Sequence, residues 1–131
     1  MEHHRRRLEQ ARAFLHHRAC EPVSLATLAN LACLSPYHFH RLYREAFGET
    51  PLETLTRRRM EIAKGLILEG KPITEVCFEV GYASPGTFTT RFSRLVGCPP
   101  STFRTTSVRI FAVKPFWAPR LVPACMLRSW I

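Results

Sequence analysis

The segment from Val76 to Phe92 decides the fold, and it reads Val-Cys-Phe-Glu-Val-Gly-Tyr-Ala-Ser-Pro-Gly-Thr-Phe-Thr-Thr-Arg-Phe. Apolar residues recur at helical spacing on both sides of Gly81, which indicates two short helices. Glycine suits a turn position that needs positive φ. Ser84 followed by Pro85 is a typical helix start, with a capping hydroxyl and a proline in the first turn. The segment therefore predicts a helix-turn-helix.

A near-copy of this segment lies earlier in the chain. Residues 24–43 read Ser-Leu-Ala-Thr-Leu-Ala-Asn-Leu-Ala-Cys-Leu-Ser-Pro-Tyr-His-Phe-His-Arg-Leu-Tyr. Leu28 matches Val76 at an offset of 48 residues, whereas Phe39 matches Phe88 at an offset of 49. The second turn is therefore predicted to be one residue longer than the first. Two helix-turn-helix units in one basic chain make DNA the leading candidate ligand.

Helical periodicity along the rest of the chain predicts an all-α fold of about seven helices, which includes the two units. We expect helices over about 5–18, 25–32, 36–47, 51–69, 73–80, 85–96 and 101–104. Residues 1–104 form the predicted DNA-binding domain: a first subdomain (1–50), a linker helix (51–70) and a second subdomain (71–104). Residues 105–131 are basic, apolar and proline-rich, and we expect a poorly ordered tail, with a strand over 108–113 as the alternative. The predicted inward-facing residues include Leu25, Leu28, Ala29, Phe39, Leu42, Tyr43, Ala46, Leu55, Ile62, Val76, Cys77, Phe88, Phe92, Leu95 and Val96.

The charge balance narrows the class of partner. The 131 residues carry a formal net charge of +9 and a sequence pI of about 10.1. DNA, RNA and anionic membranes all suit such a chain. A helix-turn-helix fits the wide major groove of B-DNA better than the narrow groove of A-form RNA. The sequence shows neither a signal peptide nor an apolar run of 18 residues, so we expect a cytoplasmic, nucleoid-associated protein without a membrane partner.

Cysteine and histidine patterns favour neither a disulfide framework nor a metal site. The five cysteines are odd in number and irregularly spaced, which is typical of small thiols buried in a reducing compartment, and we expect this of Cys33 and Cys77. Neither a Cys-x-x-Cys pair nor a His-x-x-x-His pair on one helical face is present. A cysteine nucleophile with histidine and acidic partners is also missing. We therefore expect no cofactor, no metal and no enzymatic activity.

The chain resembles the DNA-binding domain of the AraC/XylS family of bacterial transcription regulators over roughly residues 8–104. The resemblance implies two subdomains separated by the linker helix, with their recognition helices in successive major grooves about one helical turn, ~34 Å, apart. One chain would then read an asymmetric site as a monomer. The residues that carry the resemblance are, in the second unit, 76–82, Phe88, Arg91, Phe92, Gly97, Pro100, Phe103 and Arg104; in the first unit, Leu28, Ala29, 34–36, His38, Phe39, 41–43, Gly48 and Pro51; and in the linker, Arg59, Ala63, Leu66 and Ile67.

The same resemblance implies the residues that contact DNA. In the second recognition helix, Gly86 and Thr90 occupy positions that in the family often carry long polar side chains, so we expect the first unit to dominate sequence reading. The predicted base-contacting residues are Tyr37, His40 and Arg41 in the first unit and Gly86, Thr89 and Thr90 in the second. The predicted phosphate-contacting residues are Ser35, Arg44, Arg57, Ser84, Thr87, Arg91 and Arg94.

Two other interpretations remain open. The chain is alternatively a non-catalytic remnant of a longer regulator that lost its effector domain, or a protein-interaction module. Some relatives fuse this domain to an alkyl-transfer repair module, but only 27 residues follow Arg104. Contact with RNA polymerase is an additional expectation from the family, and self-association through the apolar tail is another.

Overall fold

The computed structural model describes residues 2–113, with side chains described to Ser107, and every regular element in this part of the chain is a helix. It contains α1 (Glu2–His17), α2 (Leu25–Leu31), α3 (Pro36–Phe47), α4 (Pro51–Leu68), α5 (Ile73–Glu79), α6 (Pro85–Val96) and α7 (Pro100–Val113). The predicted all-α class and the order of the seven helices are confirmed. No helix within this part of the chain is long and apolar enough to cross a bilayer.

Helix ends follow the capping residues that the sequence offers. The Ser24 hydroxyl accepts a hydrogen bond from the Thr27 amide at 3.1 Å, and the Ser35 hydroxyl accepts one from the His38 amide at 3.3 Å. Thr50 and Glu53 form a reciprocal capping box at the start of α4. Ser84 occupies the N-cap position of α6, but its side chain makes no capping hydrogen bond there, contrary to the prediction.

The two turns confirm the predicted difference in length. Four residues separate α2 from α3, and five separate α5 from α6. Gly81 has a φ of +100°, which glycine adopts without steric cost, whereas Cys33 adopts a φ of +55° in the first turn. The Cys33 side chain is exposed, so the expectation of a buried thiol is wrong for Cys33, although Cys77 is fully buried.

Each helix-turn-helix has its own apolar core. The partly buried Ile62 of the linker helix α4 packs against both cores, so α4 serves as a shared wall. The first core is built on Leu8, Leu15, Leu28, Phe39, Tyr43 and Leu55, and the second on Met60, Ile67, Val76, Val80, Phe88, Phe92 and Phe103.

Three predicted core residues, Leu25, Ala46 and Leu95, are exposed instead. In α6 the i, i+4 stripe continues from Phe92 to Val96, which leaves Leu95 turned away from the core and 52% exposed. Ala46 is displaced in α3 by the same spacing, because Phe47 packs against the first core in its place. Leu25 stands in the first turn of α2 and is 38% exposed.

The last helix is longer than the sequence analysis predicted. It continues to Val113, so the predicted end at Arg104 is wrong, and so is the alternative of a strand over 108–113. The physical reason is that no glycine or proline interrupts residues 101–113, and the tail's first proline is Pro115. The predicted poor ordering of residues 114–131 lies outside the described residues.

Candidate nucleic-acid interface

The outer face of α3 brings together the three predicted base-contacting residues of the first unit. Tyr37 is 80% exposed, Arg41 is exposed, and His40 lies half-buried beside them. These three side chains line one shallow cleft of about 400 Å³ together with Arg44 and Glu45. Helix α3, with Ser35 as its N-cap and Gly48 as its C-cap, therefore presents an aromatic ring, an imidazole and two guanidinium groups on one surface.

Neither guanidinium of this surface is neutralised by an ion pair. Arg41 and Arg44 have no carboxylate within 4.0 Å among the described residues. Two unpaired cations on an exposed helix suit a guanine edge or a phosphate, since guanidinium donors match both geometries.

The corresponding face of α6 is smaller and already partly hydrogen-bonded. The Thr90 hydroxyl donates to the Gly86 carbonyl at 2.9 Å, and the Ser93 hydroxyl donates to the Thr89 carbonyl at 2.8 Å. With its proton committed, the Thr90 oxygen has only lone pairs to offer a ligand. A Cβ added at Gly86 would approach only the Ser84 hydroxyl, at 3.7 Å, so this position is open.

Two predicted phosphate-contacting residues of α6 line a cleft between the two units. Arg91 and Arg94 face the first half of α4 across a space of about 440 Å³, beside Glu53 and the exposed Leu95. Neither arginine forms an ion pair within residues 2–107. Ser84 and Thr87 are exposed at the start of the same helix.

Arg57 is held by acidic side chains. Its guanidinium donates to Glu49 at 2.7 Å and to Glu61 at 3.2 Å. The hydrogen bond to Glu49 is the main cause that raises the pKa of Arg57. A phosphate contact from Arg57 remains a prediction, and it would compete with both ion pairs.

A buried hydrogen-bond chain connects Arg57 to the recognition helix. The Tyr43 hydroxyl donates to the Thr54 hydroxyl at 2.8 Å, and Thr54 donates to Glu49 at 2.7 Å. Burial alone would raise the pKa of the Glu49 carboxyl, but hydrogen bonds from Arg57 and Thr54 bring the net shift below the ordinary value. Burial is also the main cause that raises the pKa of Tyr43. These hydrogen bonds tie α3 to α4.

Sequence reasoning missed the role of Arg59 in joining the two units. Its guanidinium donates to the carbonyl oxygens of Ala19 at 2.6 Å and Glu21 at 3.2 Å, both in the segment after α1. The same guanidinium lies 5.3 Å from the centre of the Tyr82 ring, in the turn of the second unit. A Cβ on Gly81 would come within 3.0 Å of it. Arg59, Gly81 and Tyr82 are each visible in the sequence, but only the fold brings them together.

Comparisons with known proteins agree with this architecture. A family model described as a helix-turn-helix domain, HTH_18, matches residues 28–106, more than half of the chain. The chain is 37% identical over 82 residues to the RCS-specific HTH-type transcriptional activator RclR of Escherichia coli K12, covering 62% of this chain and 29% of that protein. It is 34% identical over 83 residues to the probable transcriptional regulator LumQ of Photobacterium leiognathi, covering 63% and 34%. The chain thus spans about a third of the length of these relatives.

Solved structures show the same arrangement of helices. The DNA-binding domain of the global transcriptional factor AdpA, in complex with a target DNA, superposes with a TM-score of 0.76 at 26% identity, covering 82% of this chain and 98% of that one. The C-terminal domain of AraT, a response regulator from Geobacillus stearothermophilus, superposes with a TM-score of 0.70 at 30% identity, covering 76% and 84%. The double helix-turn-helix fold, the family match and these likenesses together show that the chain belongs to the AraC-type helix-turn-helix family of transcription regulators.

Proposed function

We propose that this chain regulates transcription by binding duplex DNA sequence-specifically, with α3 and α6 in successive major grooves of one site. The observation that carries the proposal is the exposed α3 surface of Tyr37, His40 and Arg41, whose cation has no carboxylate partner within the described residues. The likeness to a domain solved on its target DNA supports it. The proposed role is non-catalytic and needs no cofactor.

We assign most of the base reading to α3. Arg41 has two parallel donors for guanine, a contact typically worth about 1–3 kcal/mol of discrimination. Thr90 can act toward a base as an acceptor only, because its proton is held by the Gly86 carbonyl. In the major groove the available base donors are the amino groups of adenine and cytosine. The base pair opposite Thr90 should therefore present one of these groups to it.

Binding as a monomer follows from having two reading helices in one chain, and Arg59 supports it by joining the two units. Contact with RNA polymerase and self-association through residues 105–131 remain predictions without further support. The same holds for the location at the nucleoid.

The test is selection of bound sequences from a random duplex pool at physiological salt. The proposal expects one asymmetric motif that spans two adjacent major grooves, with the α3 half more strongly defined. Arg41→Ala should blur one base position and cost about 1–3 kcal/mol. Arg94→Ala should weaken binding to all sequences and reduce the salt slope by about one. Salt-sensitive binding without any enriched sequence would refute a sequence-specific role.

A further inference from the structure

A cleft lies between α1, the end of α3 and α4, and the proposed function leaves it without a role. This open cleft has a volume of about 710 Å³, within the range of small-molecule sites. Its lining is apolar at Ala13, Ala46 and Phe47, and the other lining residues are Arg5, Arg12, Arg57, Arg58, His16, Glu9 and Glu61.

The cleft lies away from the proposed DNA-reading surface. At ~100° per residue, Ala46 stands about 180° around α3 from Tyr37 and about 140° from Arg41. Because Ala46 lines the cleft while Tyr37 and Arg41 form the reading face, a molecule in this cleft would not meet the major groove that α3 enters.

The cations of the cleft outnumber the carboxylates that pair with them. Arg5 pairs with Glu9, Arg57 pairs with Glu49 and Glu61, and Arg58 shares Glu61. Three carboxylates thus face four guanidinium groups. The excess charge belongs to Arg12, which has no carboxylate within 4.0 Å among the described residues and stacks on the Phe47 ring at 4.7 Å.

His16 lines this cleft, and the positive charge of the surrounding arginines acts on its ring. Its pKa is lowered by burial first, and then by Arg58, Arg12 and Arg57, with Glu61 opposing them. These groups, from α1 and α4, are the charged neighbours acting on the ring. A bound anion would reverse this effect.

We propose that this cleft binds a small organic phosphate ester, with Arg12 as its principal cationic contact and the apolar lining residues against its carbon skeleton. Guanidinium groups stand on both walls, on α1 and on α4. A tetrahedral phosphate can accept from donors on two sides, whereas a carboxylate offers its oxygens in one plane. Because the cleft and the reading face lie on different sides of α3, protein, phosphate ester and DNA can form one complex.

The experiment titrates the full chain with phenyl phosphate, followed by calorimetry and by the NMR signals of the His16 and Phe47 rings. We expect saturable one-to-one binding that shifts both rings and raises the pKa of His16. Arg12→Gln should weaken binding by on the order of tenfold, as expected for the loss of one charge-assisted contact. The matched control Arg41→Gln, which removes an equal charge from the reading face, should leave it unchanged.

Repeating the titration on the chain saturated with its DNA site separates this proposal from DNA binding. An unchanged affinity for phenyl phosphate supports a distinct site, and displacement by duplex DNA overturns it. Absence of saturation overturns the proposal even if DNA binding is normal. Three other results would also overturn the assignment: an equal loss of affinity in both arginine variants, tight binding of phenylacetate, or a preference for a polyglutamate peptide. Circular dichroism of Arg12→Gln confirms that the variant is folded.

Discussion

Two independent constraints exclude any side chain at position 81, which is occupied by Gly81. Its φ of +100° disfavours any L side chain, and a Cβ would stand 3.0 Å from the Arg59 guanidinium and 3.1 Å from the Cys20 carbonyl oxygen. We expect Gly81→Ala to lower the free energy of unfolding by more than the ~1–2 kcal/mol typical of the backbone cost alone. Urea denaturation measures this.

Gly70 provides the matched control for this prediction. It has a φ of +92°, but a Cβ there meets nothing within 4 Å, so Gly70→Ala carries only the backbone cost. If the two variants lose the same free energy of unfolding, the Arg59 side chain moves away from the added Cβ without an energetic cost.

Thr54 is a polar residue without any exposed surface, and it links Tyr43 to Glu49. Replacing it with valine keeps its shape but leaves the buried Tyr43 hydroxyl without an acceptor. We expect Thr54→Val to cost about 1–3 kcal/mol, the usual penalty for an unsatisfied buried group. Thermal or urea unfolding checks this against Thr56→Val, two residues along the same helix and only half-buried. A neutral Thr54→Val would show that Tyr43 finds another partner.

The orientation of α6 relative to α3 depends on the linker helix, and Arg59 is one of the linker residues that contact both units. Its two carbonyl acceptors belong to the segment after α1, and its aromatic contact, Tyr82, belongs to the second turn. We expect Arg59→Met to loosen this connection and to make binding less dependent on the distance between the two halves of the DNA site.

Fluorescence anisotropy on two duplexes measures this dependence: the selected site and the same site with one base pair inserted between its halves. The wild-type chain should lose much of its affinity on insertion, and Arg59→Met should lose less. Arg6→Met removes the same charge from the exposed start of α1 and should behave like the wild type. If Arg59→Met and Arg6→Met both show the same difference in affinity between the two duplexes as the wild type, Arg59 does not set the spacing between the two halves of the site.

The helices could be predicted from sequence where a local signal defined both ends. Ser35 with Pro36 and Gly48 bound α3, and the structure reproduces those limits. Helix α7 lacks such a signal at Arg104, and the prolines that argued against a helix begin only at residue 115. Buried apolar positions were predicted well where two apolar residues stand four positions apart. The prediction was wrong for Ala46 and Leu95, which stand three positions after a buried aromatic residue, whereas the residue four positions after it is the one that packs inward.

The candidate interface was predictable only in part, because long-range partners leave no local pattern. Tyr37, His40 and Arg41 share a face by helical periodicity alone, and the structure brings them together. The run of three arginines looks like one solvated, cationic surface in sequence. In the fold each has a separate internal acceptor: Glu49 for Arg57, the His16 carbonyl for Arg58 and the Ala19 carbonyl for Arg59. Those acceptors are 8, 42 and 40 residues away in the chain.

The stability of the whole domain should depend on pH through two groups that titrate in separate ranges. The pKa of His16 is lowered from 6.5 by burial and by the arginines around it, so the folded state binds fewer protons than the unfolded chain. Stability therefore falls as the pH drops below about 6.5 toward the folded pKa of His16. The pKa of Glu49 is lowered from 4.5, so its contribution is present above that value and is lost only as the pH falls further.

Urea unfolding between pH 7.5 and pH 5.5 isolates the first group, because Glu49 stays ionised throughout that range. We expect the wild-type free energy of unfolding to decrease across the range and the slope to become shallower in His16→Gln, which cannot acquire the buried charge. His17→Gln, next to it and exposed, is the control and should keep the wild-type slope. An identical slope in wild type and His16→Gln would show that a group other than His16 causes the pH dependence of stability. Saturation with phenyl phosphate should also flatten the slope, because a bound anion favours the protonated imidazole and so returns the folded pKa toward its unfolded value.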